Sequence, residues 1–176
     1  GEVLLKGPGM TTGYFKMPEE TQALFDEEQW LCTGDLGQLD KEGNLTITGR
    51  KKDLIITAGG KNIAPAVIEN YIQAIPEVAQ VVIVGDQKPY LCALITLTPE
   101  QIEPLAQKLQ IEQAELSTFV KHPKVQQYIQ QQIEECCNSH VARYQTIKKS
   151  CILPQPFSIE KNELTPTMKM KRHIIR

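Results

Sequence analysis

The stretch of sequence that decides the fold is GRKKDLIITAGGKNIAP, which occupies residues 49–65. It contains a cluster of charged residues, a short apolar run and a glycine pair, so it predicts an exposed joint, a strand and a tight turn in succession. Pro65 is well placed to open a helix, because its fixed φ suits the first helical position. Gly59 and Gly60 let the backbone approach a ligand closely, since they carry no Cβ. We therefore expect a domain boundary followed by a ligand-binding turn.

Downstream of this stretch, the sequence predicts a helix and then a hairpin. Apolar residues recur at helical spacing from Pro65 until Pro76. Two β-rich runs, 78–84 and 90–97, flank a polar turn that contains glycine and proline, which is typical of a β-hairpin. The predicted order of elements is therefore strand, helix, strand, strand.

The second half of the chain is predicted to be mainly helical, from residue 99 to about residue 148. Its many glutamines raise the alternative of a low-complexity segment. The four-residue steps from Val125 through Ile129 to Ile133 instead favour an amphipathic helix with a solvated, glutamine-rich face. A strand is expected near residues 150–153.

Upstream, residues 1–50 predict short strands and turns, with a short helix that begins at Pro18. Residues 37–47 alternate apolar and polar positions about a polar turn, which indicates a hairpin. Asp35 is expected just before this hairpin and Arg50 just after it. One hairpin would then bring both side chains within reach of a common ligand.

The composition is that of an ordinary globular chain, because 41% of its 176 residues are hydrophobic and 23% are charged. A net charge of -2 implies no nucleic-acid partner. No apolar run approaches the roughly 18 to 20 residues that a membrane span requires. Five cysteines without Cys-x-x-Cys spacing and three scattered histidines predict neither a disulfide framework nor a metal site, so reduced thiols in the cytoplasm are expected. The chain opens in strand-like sequence without a methionine, as a fragment of a longer protein would.

Three side chains are candidates for chemistry, and each has a plainer alternative. The two carboxylate oxygens of Asp35 could accept hydrogen bonds from adjacent ribose hydroxyls, or they could cap a turn. The rigid fork of Arg50 could contact phosphate or ribose, or simply close a hairpin. Lys169 could stabilise negative charge on a phosphoryl group, or belong to a solvated basic tail with Lys171 and Arg172.

Taken together and in order, five groups of motifs resemble the later motifs of the AMP-forming acyl-CoA synthetase superfamily, which also contains luciferases and the adenylation domains of peptide synthetases. Within that superfamily, IITAGGKNIAP and the ending LTPTMK look most like long-chain fatty acid CoA ligases, with the bubblegum-type branch as one candidate. Many other members carry Ser-Gly-Lys where this chain has Thr-Met-Lys. The groups are GPGM, GY and PEET within residues 7–21, WLCTGDL at 30–36, GRKKD at 49–53, the AP and IE pairs at 64–69, and LTPTMK at 164–169.

The resemblance implies an α+β fold. Residues 1–51 would be the β-rich end of a large N-terminal adenylating domain, and residues 52–176 a small mobile C-terminal domain with a short mixed sheet and flanking helices. In such enzymes the phosphate loop, the glutamate that helps to hold Mg²⁺ and the fatty-acid tunnel lie upstream, and nothing in this chain matches them. The remainder of the N-terminal domain is thus an expected partner, and the chain alone is not expected to catalyse the reaction.

The resemblance also implies roles for the nucleotide-binding residues. Asp35 matches the aspartate that binds the ATP ribose, and Arg50 the arginine that contacts ribose and phosphate. Lys169 matches the catalytic lysine of the adenylation half-reaction. No metal ligand is expected within the chain.

A second set of implied roles concerns movement and the CoA side of the site. Lys52 matches the hinge about which the small domain swings between adenylating and thioester-forming arrangements. Gly59 matches the glycine near the pantetheine passage, and further contacts are expected from Gly60 and Lys61.

The expected activity is the ATP-dependent conversion of a fatty acid to acyl-AMP, followed by transfer to CoA, with ATP, CoA and Mg²⁺ as cofactors. One alternative is a fatty acyl-AMP ligase or an adenylation domain that loads a carrier protein. Another is a non-catalytic binding module of the same fold. Peripheral association of the full-length enzyme with a membrane is a further expectation.

Overall fold

The structure, a computed structural model, describes residues 1–112 and 115–175. The chain divides into two compact units, Gly1–Leu54 and Ile55–Arg176. The division falls inside the stretch 49–65, just after its charged cluster. None of the helices formed by the described residues is long and apolar enough to cross a membrane.

The first unit contains an antiparallel sheet of three strands, β1 (Glu2–Leu5), β2 (Leu31–Leu39) and β3 (Leu45–Arg50), in that order. The predicted hairpin is confirmed, but strands β2 and β3 are longer than predicted. Asp35 and Arg50 therefore lie within these strands and not outside them. The alternation of apolar and polar residues begins only after Thr33-Gly34, so it does not predict the first half of β2 as a strand. The unit also contains a helix, α1 (Pro18–Gln22), and a 3₁₀ turn at Lys51–Asp53.

The first unit has no apolar core of its own. Within residues 1–54, all of which are described, no hydrophobic side chain is buried. Several large ones are well exposed, including Phe15 at 87% and Leu39 at 69%. A unit of this size needs buried apolar surface to offset the conformational entropy lost on folding, so these residues lack the packing that would stabilise them alone.

The second unit is built on a mixed sheet of three strands, β6 (Val78–Val84), β7 (Leu91–Leu97) and β8 (Ile147–Leu153), in that order. Strands β6 and β7 are antiparallel, and β7 and β8 are parallel. Strands β4 (Ile55–Ile56) and β5 (Asn62–Ile63) form a separate two-stranded hairpin. The helices of this unit are α2 (Pro65–Gln73), α3 (Pro99–Leu109), α4 (Leu116–Phe119), α5 (Pro123–Cys136) and α6 (Arg172–Ile175).

The predicted helical region is confirmed in its main part and wrong at its end. The stripe of α5 is fully buried, with Val125, Ile129 and Ile133 at 0% exposure. Two 3₁₀ turns then lead into β8, which begins at Ile147, earlier than the predicted strand. The lysines that follow Ile147 look like a helix surface, but parallel pairing with β7 holds them in a strand. A partner so far away in sequence leaves no local pattern.

The two faces of the mixed sheet are covered differently. Residues of α2, α3 and α5 pack with alternate strand residues such as Val81 and Ile83 in the main core. The opposite face, which includes Val82, packs against Phe157 and Leu164 in a second cluster. The C-terminal segment, residues 157–175, therefore covers the face that the long helices leave open.

Candidate nucleotide and acyl-transfer site

Asp35 and Arg50 occupy paired positions in the β2–β3 ladder. Arg50 Nε lies 2.8 Å from Asp35 Oδ1, and the two side chains are 65% and 31% exposed. An ion pair this exposed contributes about 0 to 1 kcal/mol to stability. The pair therefore presents a carboxylate and a guanidinium side by side at the surface, where the fold itself needs them little.

The backbone before Asp35 is irregular. Gly34 has a φ of +73°, a conformation that favours glycine. The Thr33 hydroxyl oxygen accepts a hydrogen bond of 3.0 Å from the Asp35 amide, and Glu2 Oε1 accepts one of 3.2 Å from the Gly34 amide. Glu2 also pairs with Lys51, Nζ to Oε2 2.7 Å, and this hydrogen bond lowers the pKa of Glu2 and raises the pKa of Lys51. The carboxylate of Asp35 is thus carried by a strand with several fixed amides, and not by a simple tight turn.

The predicted glycine turn is confirmed between β4 and β5. The Thr57 amide donates to the Lys61 carbonyl (3.0 Å), and the Gly60 amide donates to the Thr57 carbonyl (2.8 Å). Gly60 has a φ of +72°, and a Cβ added there would meet nothing within 4 Å. A Cβ at Gly59 would meet only Thr57 Oγ1, at 3.9 Å. The turn therefore presents open backbone to its surroundings, as a passage for a ligand requires.

Lys61 follows this turn, and its Nζ lies 5.8 Å from the ring centroid of Tyr144. Both side chains are exposed, so the cation–π contact is worth about 0.5 to 1 kcal/mol. Lys52, the predicted hinge, is exposed in the 3₁₀ turn that ends the first unit. The roles of both lysines stay predictions.

Lys169 is carried by a tight turn of the C-terminal segment. The Thr165 amide donates to the Lys169 carbonyl (2.8 Å), and the Lys169 amide donates to Thr165 Oγ1 (3.0 Å). Leu164 and Met170 close the turn as an isolated antiparallel bridge, and Met168 takes a φ of +62° to complete it. The Lys169 side chain is exposed, and among residues 1–112 and 115–175 its Nζ has no hydrogen-bond or ion-pair partner. The structure therefore holds the backbone and leaves the ammonium group available.

One pair of residues escaped sequence reasoning. The Arg172 guanidinium makes a two-pronged ion pair with the carboxylate of Glu69 on α2, so Arg172 is not part of a solvated tail. The side chains are only 15% and 11% exposed. A signal was present, because Glu69 interrupts the apolar stripe of α2 between Ile68 and Ile72. A carboxylate at such a position needs a partner when it is buried.

Apart from the hinge residue Lys52, the predicted site residues thus fall into three groups: Asp35 with Arg50 in the first unit, and the 59–61 turn and the Lys169 turn in the second. Across the part of the chain that the structure describes, no group of three or more His, Cys, Asp or Glu side chains is arranged to hold a metal ion. The upstream ligand for Mg²⁺ stays a prediction.

The fold and these sites define a class of protein. Residues 52–176 match the model of the AMP-binding enzyme C-terminal domain, and the chain belongs to that family. The match begins at Lys52. The resemblance to adenylate-forming enzymes is therefore confirmed.

The chain is similar to named ligases of this family. It is 42% identical over 176 residues to the long-chain-fatty-acid–CoA ligase FadD15 of Mycobacterium tuberculosis. This alignment covers 99% of this chain and 29% of that protein. It is 39% identical over 189 residues to the long-chain-fatty-acid–CoA ligase ACSBG1 of Rattus norvegicus. This second alignment covers 98% of this chain and 26% of that protein. The chain spans less than a third of the length of these relatives.

Solved structures confirm the α+β fold. The adenylation domain of a carboxylate reductase from Mycobacterium chelonae matches with a TM-score of 0.80 and 25% identity, over 99% of this chain and 26% of that one. The o-succinylbenzoate CoA synthetase of Bacillus subtilis, solved with its acyl-adenylate intermediate, matches with a TM-score of 0.68 and 26% identity, over 100% of this chain and 30% of that one.

Proposed function

We propose that this chain is the C-terminal part of an AMP-forming long-chain fatty acid CoA ligase. Such an enzyme converts a fatty acid and ATP to acyl-AMP and pyrophosphate, and then transfers the acyl group to CoA with release of AMP. The observation that carries the proposal is the Lys169 turn, which fixes the backbone and presents an exposed ammonium group. The similarity to two ligases of that name supports the substrate class.

Lys169 has a clear task in the first half-reaction. A fatty acid carboxylate must attack the α-phosphate of ATP, and the two groups repel because both are anionic. An ammonium group between them lowers this repulsion and stabilises the charge that develops in the transition state. In the second half-reaction a thiol attacks the acyl carbonyl and AMP leaves, so no carboxylate approaches a phosphate and the lysine is not needed there.

Asp35 and Arg50 suit the nucleotide. The carboxylate of Asp35 offers acceptor oxygens to two adjacent ribose hydroxyls, and Arg50 offers fixed donors to ribose and phosphate oxygens. The ladder that pairs them sets their spacing before any ligand arrives. This preorganisation lowers the entropy lost on binding.

The proposed domain boundary lies at residues 51 and 52, with Lys52 as the hinge. A hinge lets one small domain serve two half-reactions, because it can bring Lys169 to the phosphate and later the 59–61 turn to the incoming pantetheine. The division of the chain into two compact units close to Lys52 supports this assignment.

The remainder of a large N-terminal domain is proposed as the partner of the first unit. Exposed apolar residues such as Phe15, Leu39 and Ile47 would be covered by it, which would supply the core that residues 1–54 lack.

We also propose a cytoplasmic enzyme in peripheral contact with membranes, because long-chain fatty acids partition into bilayers. CoA and Mg²⁺ belong to the same proposal, with the Mg²⁺ ligand outside this chain.

Lys169→Ala in the full-length ligase tests this function. Adenylation, followed as fatty-acid-dependent exchange of pyrophosphate into ATP, should fall by roughly 10² to 10³. Thioester formation from preformed acyl-adenylate should be retained. Lys161→Ala is the matched control, since Lys161 is an exposed lysine of the same segment. Equal loss of both half-reactions would overturn the proposed division of labour.

A carrier-protein thiol is the second candidate acceptor, favoured by the likeness to a carboxylate reductase adenylation domain. Mass spectrometry of the products separates the two. Acyl-CoA supports the ligase, whereas an acyl group found only on a phosphopantetheinyl protein supports the alternative.

A further inference from the structure

The Glu69–Arg172 pair joins residues that are 103 positions apart in the chain. Arg172 Nη1 lies 2.5 Å from Glu69 Oε1, and Nη2 contacts Oε2. Glu69 Oε1 also accepts a hydrogen bond of 2.8 Å from the amide of Ile83. Both oxygens of this buried carboxylate are therefore occupied by fixed donors.

The position of the pair explains what it connects. Strand β6 lies at the edge of the three-stranded sheet that the described residues form, and its Ile83 amide donates to Glu69. Helix α2 contributes to the main core on one face of the sheet, while the C-terminal segment packs in the cluster on the other face. The Glu69–Arg172 pair therefore ties the C-terminal segment to α2 across the open edge of the sheet.

Lys169 lies on the part of the chain that this tie holds. The Lys171 amide donates to the Glu163 carbonyl (2.8 Å), and Leu164 bridges Met170. Leu164 and Met170 also pack in the second cluster. Residues 163–172 thus form a short loop that is anchored by apolar contacts at its base and by the guanidinium of Arg172 at its end.

We infer that Glu69 and Arg172 are positioning residues for Lys169 in adenylation. This inference rests on the proposed function, since it assumes that Lys169 acts on the phosphate. Positioning matters because a displacement of about 1 Å in a reacting group can cost 10²-fold in rate. The planar guanidinium of Arg172 fixes both the orientation and the distance of its contact with the Glu69 carboxylate. The single ammonium group in Arg172→Lys would fix only the distance.

A positioning role and a purely structural role of the ion pair predict different results. If the pair only stabilised the fold, its loss would destabilise the main core as well. Among the described residues, the buried members of the main core lie between Ile55 and Ile152, whereas those of the C-terminal segment belong to the second cluster. Loss of the ion pair should therefore loosen residues 163–172 and leave the main core folded. The two roles can be separated by measuring the segment and the core independently.

The test compares Arg172→Gln with Lys171→Gln in the full-length ligase. These are equal losses of positive charge at adjacent positions, but the ammonium group of Lys171 donates to the side chain of Asn162 and not to Glu69. We expect Arg172→Gln to lower kcat for adenylation by about 10- to 100-fold with little change in KM for ATP, and to leave thioester formation from acyl-adenylate intact. Arg172→Lys should restore only part of the rate. Lys171→Gln should behave as the parent.

Hydrogen exchange on the full-length ligase supplies a readout besides activity. The amides of Lys169 and Lys171 should exchange faster in Arg172→Gln, while those of β6 to β8 stay protected. If Arg172→Gln does not fold, Glu69→Gln replaces it, because its amide oxygen can still accept from Ile83. The inference is overturned if adenylation is unchanged, if both half-reactions fall equally, or if protection is lost throughout the sheet. An unchanged adenylation rate in Lys169→Ala would instead overturn the proposed function.

Discussion

Arg50 Nε lies 2.8 Å from Asp35 Oδ1, and the same two residues are partners in the β2–β3 ladder. The backbone pairing alone brings the two side chains together. The ion pair is therefore a consequence of the hairpin more than a cause of it, and its charges are available for a ligand.

Asp35→Ala in the proposed full-length ligase should weaken ATP binding with little effect on stability. Loss of hydrogen bonds to a charged group costs about 1.5 to 3 kcal/mol, which is roughly 10- to 150-fold in Kd. The free energy of unfolding should fall by less than about 1 kcal/mol, because the ion pair is exposed. Calorimetry of binding and denaturant titration measure the two effects.

Glu2→Gln is the control for that prediction. It breaks the neighbouring ion pair with Lys51 but keeps an oxygen that can accept from the Gly34 amide. An equal loss of ATP affinity in both variants would mean that the effect is a general loss of surface charge.

Lys52→Pro should change the two half-reactions by different factors. Proline fixes φ at residue 52 and disfavours helical backbone at Lys51, so it should hold the 3₁₀ turn in one arrangement. Adenylation and thioester formation, assayed separately in the full-length ligase, check this. Lys41→Pro is the control, because Lys41 lies within the Asp40–Gly43 turn, where proline fits. Unchanged rates for both steps would remove Lys52 as the hinge.

Gly59→Leu should lower the CoA-dependent step while the protein stays folded. The structure has room for the new side chain, since a Cβ there meets only Thr57 Oγ1 at 3.9 Å and no left-handed backbone is required. A ligand that passes over the turn would meet that side chain. Thioester formation should fall and KM for CoA should rise, whereas Gly9→Leu, also at an open glycine, should change neither. A loss confined to adenylation would contradict this role.

Cys137 should be far less reactive than Cys151. Burial raises the pKa of the Cys137 thiol to about 11, with smaller contributions from Cys136 and Glu134, and the side chain is 0% exposed. The thiolate is the nucleophile, so at pH 8 the folded protein should alkylate first at the exposed Cys151. Timed treatment with iodoacetamide and peptide mass spectrometry test the order. In denaturant the two should react alike, and equal rates in the folded protein would refute the prediction.

Much of the second unit follows from short-range patterns. Pro65 opens α2, the stripe through Val125, Ile129 and Ile133 is buried, and the 78–97 region is a hairpin. Each feature depends on residues within a few positions of one another, so helical spacing, alternation and turn residues are enough to predict it.

The errors share one cause. The start of β8 at Ile147 depends on parallel pairing with β7, and the inclusion of Asp35 in β2 depends on pairing with β3. Strand pairing is decided by which partner is available in the fold, and a polar residue on a strand surface looks the same as one on a helix or loop.

The sequence by itself determined the family of this chain, the order of its main elements and the candidates Asp35, Arg50 and Lys169, because these are properties of residue type and spacing along the chain. Only the tertiary structure decided that Glu69 and Arg172 meet across the edge of the sheet. Such a contact depends on how α2 and the C-terminal segment pack on opposite faces, and distance in sequence carries no record of that packing.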